Sequence, residues 1–190
     1  MYELHTSTKD AWTQTVLSDF DTFLLDHAAC ERKASSMAMS MLLHYPDKPN
    51  IVKAMTELAI EELQHFKAVM AHIQERKLIL PRDEKDSYVN QFRQALRRGA
   101  EEYLLDRLLT ASIMEKRGAE RFGLIAEALP DNNLKHFYTK IAESEARHYV
   151  LFLELAQEYY DPDSISPRLT ELLIIEAKIV DQLPLKAALH

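Results

Sequence analysis

The sequence predicts an all-α protein built on a four-helix bundle. Of its 190 residues, 47% are hydrophobic, 28% are charged and only 3 are glycine. This balance suits long helices and gives a sheet protein too few turns. Apolar residues recur at helical spacing over four long stretches, which prolines and polar runs separate. No linker or low-complexity segment divides the chain, so a single domain over residues 1–190 is expected.

The individual elements follow from these breaks in order. A helix is expected to begin at a capping Ser, Asp or Asn or at a proline, and to end before the next proline. Helices of roughly 25 to 30 residues are long enough to span a bundle. The predicted helices are a short one at 7–18, long ones at 19–45 and 49–77, a run at 87–129 interrupted at Gly99, a long one at 132–160 and a short final one at 167–184, which follows a loop, DPDSISP.

Composition and charge exclude several classes of protein. Cys30 is the single cysteine, so no internal disulfide is expected and a reducing compartment, the cytoplasm, is the simple reading. No apolar run approaches the roughly 20 residues of a membrane span, and the first residues show no targeting pattern. The net charge of −7 argues against a general nucleic-acid coat, which requires concentrated Lys and Arg.

Two Glu-x-x-His motifs are the principal candidates for function. Glu62 and His65 recur 83 residues later as Glu145 and His148. One such motif is expected by chance in a chain of this composition, but the residues around the two copies are similar as well. The similarity indicates an internal repeat.

A glutamate precedes each motif by about one helix length. The segment CERKA at 30–34 resembles MEKRGA at 114–119, which places Glu31 and Glu115 in matching positions. Residues three apart share a helix face, so one carboxylate and one imidazole reach a common ion. One Glu from each of two helices and Glu-x-x-His from each of two others is the known ligand set of ferritin-like di-iron and di-manganese bundles. The predicted ligands of two ions, iron in preference to manganese, are Glu31, Glu62, His65, Glu115, Glu145 and His148.

Neighbouring polar residues compete for these roles. Glu61 and Glu120 are rival ligands to Glu62 and Glu115, but the register that the histidines impose disfavours them. Surface charge, or a contact behind the ligands, is expected for both. His27 lies one turn before a candidate ligand, where a hydrogen bond or packing is expected in preference to ligation.

The ligand set alone admits several functions. An oxygen-activating hydroxylase or desaturase, a ferritin-like iron-binding or storage protein with oxidase activity, and a peroxide-removing enzyme all use such sites. A cysteine-ligated iron module is excluded, because the chain has one cysteine.

Four segments carry a resemblance to a known family: DHAACERKASSMAMS, LAIEELQHFKAVM, RLLTASIMEKRGAERFGLIAEAL and IAESEARHYVLFLELA. They closely resemble the tRNA 2-methylthio-isopentenyladenosine hydroxylase family, and the similarity runs from about residue 10 to residue 183. The resemblance implies a ferritin-like fold and a non-haem di-iron centre that hydroxylates the isopentenyl tail of the hypermodified adenosine beside the anticodon. The six predicted ligands would then bind iron, with Glu62 or Glu145 as the bridging residue. The metal centre itself would be catalytic, with no separate acid or base.

The resemblance also implies partners. Modified tRNA and oxygen would be substrates, and two electrons per turnover would come from an external electron-transfer protein. A monomer or dimer is expected. The densest basic region is the candidate for phosphate contact, with a solvated face of mixed charge as the alternative. Its residues are Arg76, Lys77, Arg82, Lys85, Arg93, Arg97 and Arg98.

Overall fold

The structure is a computed structural model that describes residues 1–82 and 85–190. Over these residues it contains α-helices and no β-strand. Residues 83–84, which belong to the predicted break between the helix at 49–77 and the run at 87–129, lie outside the described residues. The helices are α1 (Asp10–Ser18), α2 (Phe20–His44), α3 (Pro49–Glu75), α4 (Ser87–Gln94), α5 (Ala100–Ala128), α6 (Asn132–Tyr159) and α7 (Pro162–Gln182).

The chain divides into two compact units. The first, called here the α2/α3 unit, consists of Gln14–Glu84 and Lys186–Leu189. The second, the α5/α6 unit, consists of Met1–Thr13, Lys85–Leu185 and His190. A single domain over the whole chain stays a prediction.

The α2/α3 unit is an antiparallel helical hairpin. The Asp19 side chain caps α2 by accepting from the Thr22 amide, and Pro49 opens α3. Ser35 joins the two helices by donating to the Ala59 carbonyl at 2.8 Å. Lys77 has a left-handed φ of 58°, and the adjacent Leu78 amide donates to a carbonyl in the last turn of α3. Lys77 therefore ends α3 by the usual left-handed C-terminal motif.

The α5/α6 unit contains a second antiparallel hairpin. Asp131 caps α6 by accepting from two backbone amides at 2.8 Å each. Ser112 of α5 donates to the Tyr149 carbonyl of α6 at 2.7 Å, and the rings of Phe122 and Tyr138 stack. α7 packs against α4, α5 and α6.

Buried ion pairs connect α7 to this hairpin. Arg117 of α5 donates from Nε to Oε1 of Glu176 at 2.8 Å, and neither side chain is exposed. Asp106 accepts from Arg168 of α7 and from Arg97, which lies in the connection between α4 and α5. Each charge is compensated by an opposite one, which is the condition for burying it.

The first residues also attach to α5. The Tyr2 hydroxyl lies 2.8 Å from that of Ser112, and Thr8 donates to the Glu120 carboxylate at 2.7 Å. Lys116 donates to the Tyr2 carbonyl and lies over the rings of Tyr2 and Tyr149. An extended N-terminal segment thus covers part of α5.

Two predicted elements were wrong in their limits. α1 begins at Asp10, not Ser7, because the preceding residues are used in the contacts with α5. α7 begins at Pro162, not Pro167, and has 21 residues, so it is neither short nor preceded by a loop at DPDSISP. Pro162 occupies the first helical position, which proline favours, and the buried side chain of Ile165 holds this turn in place. Pro167 is accommodated within the helix.

Candidate metal centre

The α2/α3 unit gathers three of the predicted ligands. Glu31 comes from α2, and Glu62 and His65 share one face of α3 because they are three residues apart. His65 Nδ1 lies 3.3 Å from Glu62 Oε2 and 3.6 Å from Glu31 Oε2. One ligand atom from each residue lies within 4.8 Å of the others. The two carboxylates are only 3% and 1% exposed, so this group, called here the α2/α3 triad, is shielded from water.

Two further polar residues stand behind this triad. His27 is fully buried, and its Nε2 lies 2.5 Å from Glu31 Oε1. Burial lowers the pKa of His27 to about 3, so the ring is neutral and donates its Nε2 hydrogen to the carboxylate. Glu61 Oε1 lies 3.9 Å from His65 Nε2. Neither residue replaces a predicted ligand.

The imidazole of the α2/α3 triad interacts with both carboxylates. Burial lowers the pKa of His65, but hydrogen bonding to Glu31 and Glu62 outweighs burial and raises the pKa to about 10. A proton on His65 therefore compensates the two buried carboxylates at neutral pH. A metal ion that binds the imidazole would replace this proton and provide the same compensation.

The α5/α6 unit gathers the other three predicted ligands. Glu115 of α5 and Glu145 and His148 of α6 are 9%, 4% and 3% exposed. His148 Nδ1 lies 3.7 Å from Glu145 Oε2, and one ligand atom from each of the three residues lies within 4.8 Å of the others. We call this group the α5/α6 triad. It repeats the residue types and the helix positions of the first triad.

A glycine gives the α5/α6 triad its space. Gly118 lies on α5, one turn after Glu115, and a β-carbon added there would lie 3.8 Å from both Cγ and Oε2 of Glu145. A methyl group would make ordinary contact, whereas a larger side chain would displace the carboxylate.

Ser144 contacts the imidazole of this triad. Its Oγ lies 3.5 Å from Nε2 of His148 and accepts from Arg147 at 3.0 Å.

The donor set of each triad fits a metal ion. Buried carboxylates are strongly unfavourable without compensation. Two carboxylates and one imidazole supply oxygen and nitrogen donors of the kind that iron, manganese and zinc accept. Each triad therefore has the composition, burial and spacing of a candidate metal site.

The rival ligand Glu120 serves another purpose. It accepts from Thr8 and from Arg117, and so belongs to the buried network that holds the N-terminal segment.

The contact between Ser144 and His148 was missed in the sequence. The repeat contained its signal, because the 83-residue shift that relates the two motifs places Ser144 at the position of Glu61.

The predicted RNA-contact residues have different environments in the structure. Arg76 donates to Asp21 at 2.7 Å and lies over the Phe20 ring. Arg97 donates to the buried carboxylate of Asp106. These two arginines already have partners within their own units. The remaining five are exposed: Lys77 and Arg82 in the α2/α3 unit, and Lys85, Arg93 and Arg98 in the α5/α6 unit.

In the described part of the chain, no helix is both long enough and apolar enough to cross a membrane.

Comparison with known proteins gives consistent relatives. A family model described as tRNA-(MS2IO6A)-hydroxylase (MiaE) matches residues 2–190. A Pseudomonas putida protein named tRNA 2-(methylsulfanyl)-N(6)-isopentenyladenosine(37) hydroxylase is 36% identical over 166 residues, which are 87% of this chain and 80% of that protein. A Salmonella typhimurium protein of the same name is 32% identical over 158 residues, covering 82% of this chain and 56% of that longer protein.

A solved structure shares the fold. It is described as Protein 43 with aldehyde deformylating oxygenase activity from Synechococcus, and it matches with a TM-score of 0.93 at 33% identity. The match covers 98% of this chain and 93% of that one. The prediction of an all-α, ferritin-like fold is confirmed.

Proposed function

The chain belongs to the tRNA-(MS2IO6A)-hydroxylase (MiaE) family, and we propose that it hydroxylates the isopentenyl tail of 2-methylthio-isopentenyladenosine beside the tRNA anticodon. The family assignment confirms the resemblance seen in the sequence and makes the protein an enzyme of the hydroxylase class. The observation that carries the proposal is the family match over residues 2–190 in a chain with two buried Glu and Glu-x-x-His triads.

We propose that each triad supplies ligands to one of two iron ions. The six residues are those predicted from the repeat, three in each unit: Glu31, Glu62 and His65, and Glu115, Glu145 and His148. Iron is favoured over manganese because the reaction inserts an oxygen atom from O₂ into a carbon–hydrogen bond of the isopentenyl tail. When bound, the iron would activate oxygen for this step.

The surrounding residues keep the reacting groups dry. Leu58 and Val69 are buried on α3, and Ile141 and Phe152 are buried on α6. They share the helix faces that carry the ligands, so they exclude water that would divert a reactive oxidant. Buried His27 holds the Glu31 carboxylate in one orientation, while the space beside Gly118 leaves room for Glu145.

The reaction requires partners beyond the tRNA. Insertion of one oxygen atom from O₂, with the other leaving as water, consumes two electrons and two protons. We expect an external electron-transfer protein to supply the electrons, and we expect the enzyme to act in the cytoplasm, where tRNA is modified, as a monomer or dimer.

A product assay tests the proposed function. Iron-loaded, reduced protein is incubated with tRNA that carries the prenylated adenosine and with ¹⁸O₂, and the nucleosides are then analysed by mass spectrometry. The expected product has gained one labelled oxygen atom in the isopentenyl group. Glu145→Ala should form none, while the exposed Glu143→Ala serves as the matched control. Absence of product in a sample of verified iron content would contradict the proposal.

One observation favours a second candidate. The Synechococcus protein that shares the fold at 33% identity is described by an aldehyde deformylating oxygenase activity. The same iron-loaded sample, given an aldehyde, O₂ and a reductant that supplies four electrons per turnover, would then release formate, water and a hydrocarbon one carbon shorter. Formation of these products without tRNA hydroxylation would favour the second candidate over the first.

A further inference from the structure

A chain of hydrogen bonds connects the N-terminal segment to both helices of the α5/α6 hairpin. Ser112 of α5 donates its hydroxyl hydrogen to the Tyr149 carbonyl of α6 at 2.7 Å. A hydroxyl has a single hydrogen, so Tyr2 must be the donor in the 2.8 Å contact between the Tyr2 and Ser112 hydroxyls. Donation therefore runs from Tyr2 to Ser112 and from Ser112 to α6.

This chain crosses the hairpin at the level of the α5/α6 triad. Ser112 precedes Glu115 by three residues, about one turn of α5, and Tyr149 directly follows His148 in α6. Ser112 is fully buried, so water does not compete for its hydrogen bonds. The bond from Ser112 to Tyr149 thus helps to fix the spacing of two helices that carry candidate ligands.

The link between the helices depends on the direction of the Ser112 hydrogen. A serine inside a helix can instead donate to the carbonyl four residues earlier on its own helix. The bond that Ser112 accepts from Tyr2 strengthens the bond that Ser112 donates, because hydrogen bonds in a chain polarise one another. Loss of the Tyr2 hydroxyl would therefore weaken the link and leave Ser112 freer to turn back to α5.

Further contacts hold Tyr2 in the position from which it donates. Lys116 donates to the Tyr2 carbonyl, and its Nζ lies 5.1 Å from the centroid of the Tyr2 ring and 4.9 Å from that of Tyr149. The two rings meet edge to face, with centroids 6.1 Å apart. Burial raises the pKa of Tyr2, so its phenol keeps the hydrogen that it donates.

We propose that Tyr2 is a positioning residue for the α5/α6 triad and that it acts through Ser112. By strengthening the bond from Ser112 to Tyr149, the Tyr2 hydroxyl stabilises the helix spacing at which Glu115 and His148 would reach a common ion. This inference rests on the metal binding in the proposed function, but not on the tRNA reaction.

Titration of the metal-free protein with Co²⁺ tests the inference without oxygen chemistry. Ligand-field absorption reports binding, and Tyr2→Phe removes the hydroxyl while it retains the ring that lies beside Lys116. We expect the overall affinity for Co²⁺ to fall by about 3- to 10-fold, which corresponds to the loss of one hydrogen bond.

Tyr160→Phe is the matched control. It removes another tyrosine hydroxyl of the same unit, one that donates to the Glu101 carbonyl in the first turn of α5 at 2.7 Å. This contact lies about four turns before Glu115. The Co²⁺ affinity of Tyr160→Phe should therefore equal that of the unmodified protein.

A double variant shows whether Tyr2 acts through Ser112. Ser112→Ala removes the link to α6 and should weaken Co²⁺ binding at least as much as Tyr2→Phe does. In the Ser112→Ala background, Tyr2→Phe should cause no further loss, because the residue through which Tyr2 acts is gone.

The single tryptophan reports whether the N-terminal segment stays in place. Trp12 is buried in the helix that follows this segment, and the Arg121 guanidinium lies 4.9 Å from the centroid of its ring. The fluorescence emission of Trp12 should be the same in Tyr2→Phe as in the unmodified protein.

The inference is overturned if Tyr2→Phe binds Co²⁺ as tightly as the unmodified protein, or if Tyr160→Phe shows the same loss. Additive losses in the double variant would also overturn it, as would a shifted Trp12 emission in Tyr2→Phe, since detachment of the segment would then be the cause. The expected coupling between Tyr2 and Ser112 in a protein that forms no hydroxylated nucleoside would contradict the proposed substrate alone.

Discussion

The Arg117 guanidinium makes two hydrogen bonds to the Glu176 carboxylate, at 2.8 and 3.0 Å, and neither side chain is exposed. Arg117→Met would leave the carboxylate buried without its charge partner. We expect the free energy of unfolding to fall by about 3–5 kcal/mol. In the double variant Arg117→Met/Glu176→Leu, most of this loss should be recovered. Urea unfolding followed by circular dichroism measures both, and equal losses in the single and double variants would show that the charge is not the cause.

Asp86 gives α4 a stability that depends on pH. Burial raises the pKa of Asp86, but hydrogen bonding to His190 and to the Val89 and Tyr88 amides outweighs burial. The net effect is to lower the pKa from 3.8 to about 2. Since the folded pKa lies below the unfolded one, the stabilisation is complete above about pH 4 and is lost as the pH falls to 2. Asp86→Asn should therefore cost about 2 kcal/mol at pH 7. The difference between the two proteins in urea unfolding should shrink below pH 4, and a constant difference would refute this account.

Metal content tests the ligand set directly. Glu145→Ala removes one carboxylate of the α5/α6 triad, and we expect clearly fewer than two ions per chain. Glu143 lies on the same helix but is exposed, so Glu143→Ala should retain full content. Elemental analysis of both variants after loading with iron gives the answer. Full occupancy in Glu145→Ala would remove Glu145 from the set.

Substitutions at Gly118 distinguish two effects, the space that Glu145 needs and the stability of α5. Glycine inside a helix costs about 1 kcal/mol relative to alanine. A β-carbon there makes only ordinary contact with Glu145, so Gly118→Ala should raise the free energy of unfolding by up to about 1 kcal/mol and retain metal. Gly118→Leu should lose metal because its side chain displaces the carboxylate. Unfolding and elemental analysis together distinguish the two effects, and retention of metal by the leucine variant would argue against the steric role.

The basic residues near α4 divide into two groups with different expected effects. Arg93 and Arg98 are exposed, whereas Arg97 donates to buried Asp106. Arg93→Ala and Arg98→Ala should weaken tRNA binding without loss of stability, and each should reduce the salt dependence of log K by about one unit. Arg97→Ala should instead lower stability. Fluorescence anisotropy at several salt concentrations measures binding, and unchanged binding in the Arg93→Ala/Arg98→Ala double variant would exclude this surface.

The residues most accessible to sequence reasoning were those under local geometric rules. Glu62 and His65 share a helix face because they are three residues apart, and the repeat transfers the same rule to Glu145 and His148. The structure then places one upstream glutamate with each pair, within 4.8 Å, although their role as ligands stays a prediction. The order of the long helices was likewise correct, because their limits depend on prolines and capping residues.

The contacts that were not predicted join residues far apart in the chain. Arg117 and Glu176 are 59 residues apart, and nothing in either local sequence indicates the other. The start of α7 was misplaced because two prolines, Pro162 and Pro167, both carry a helix-start signal. Only the packing of Ile165 and Arg168 against the rest of their unit selects the earlier one.

The N-terminal segment has a consequence for the order of folding. Tyr2 contacts Ser112 and Thr8 contacts Glu120, across 110 and 112 residues of chain. During synthesis these two residues must therefore wait until α5 has been made before they find their binding surface. Contacts of such long sequence separation form late, because the intervening chain must be ordered first. A segment that is synthesised before all seven helices is thus among the last to reach its native position.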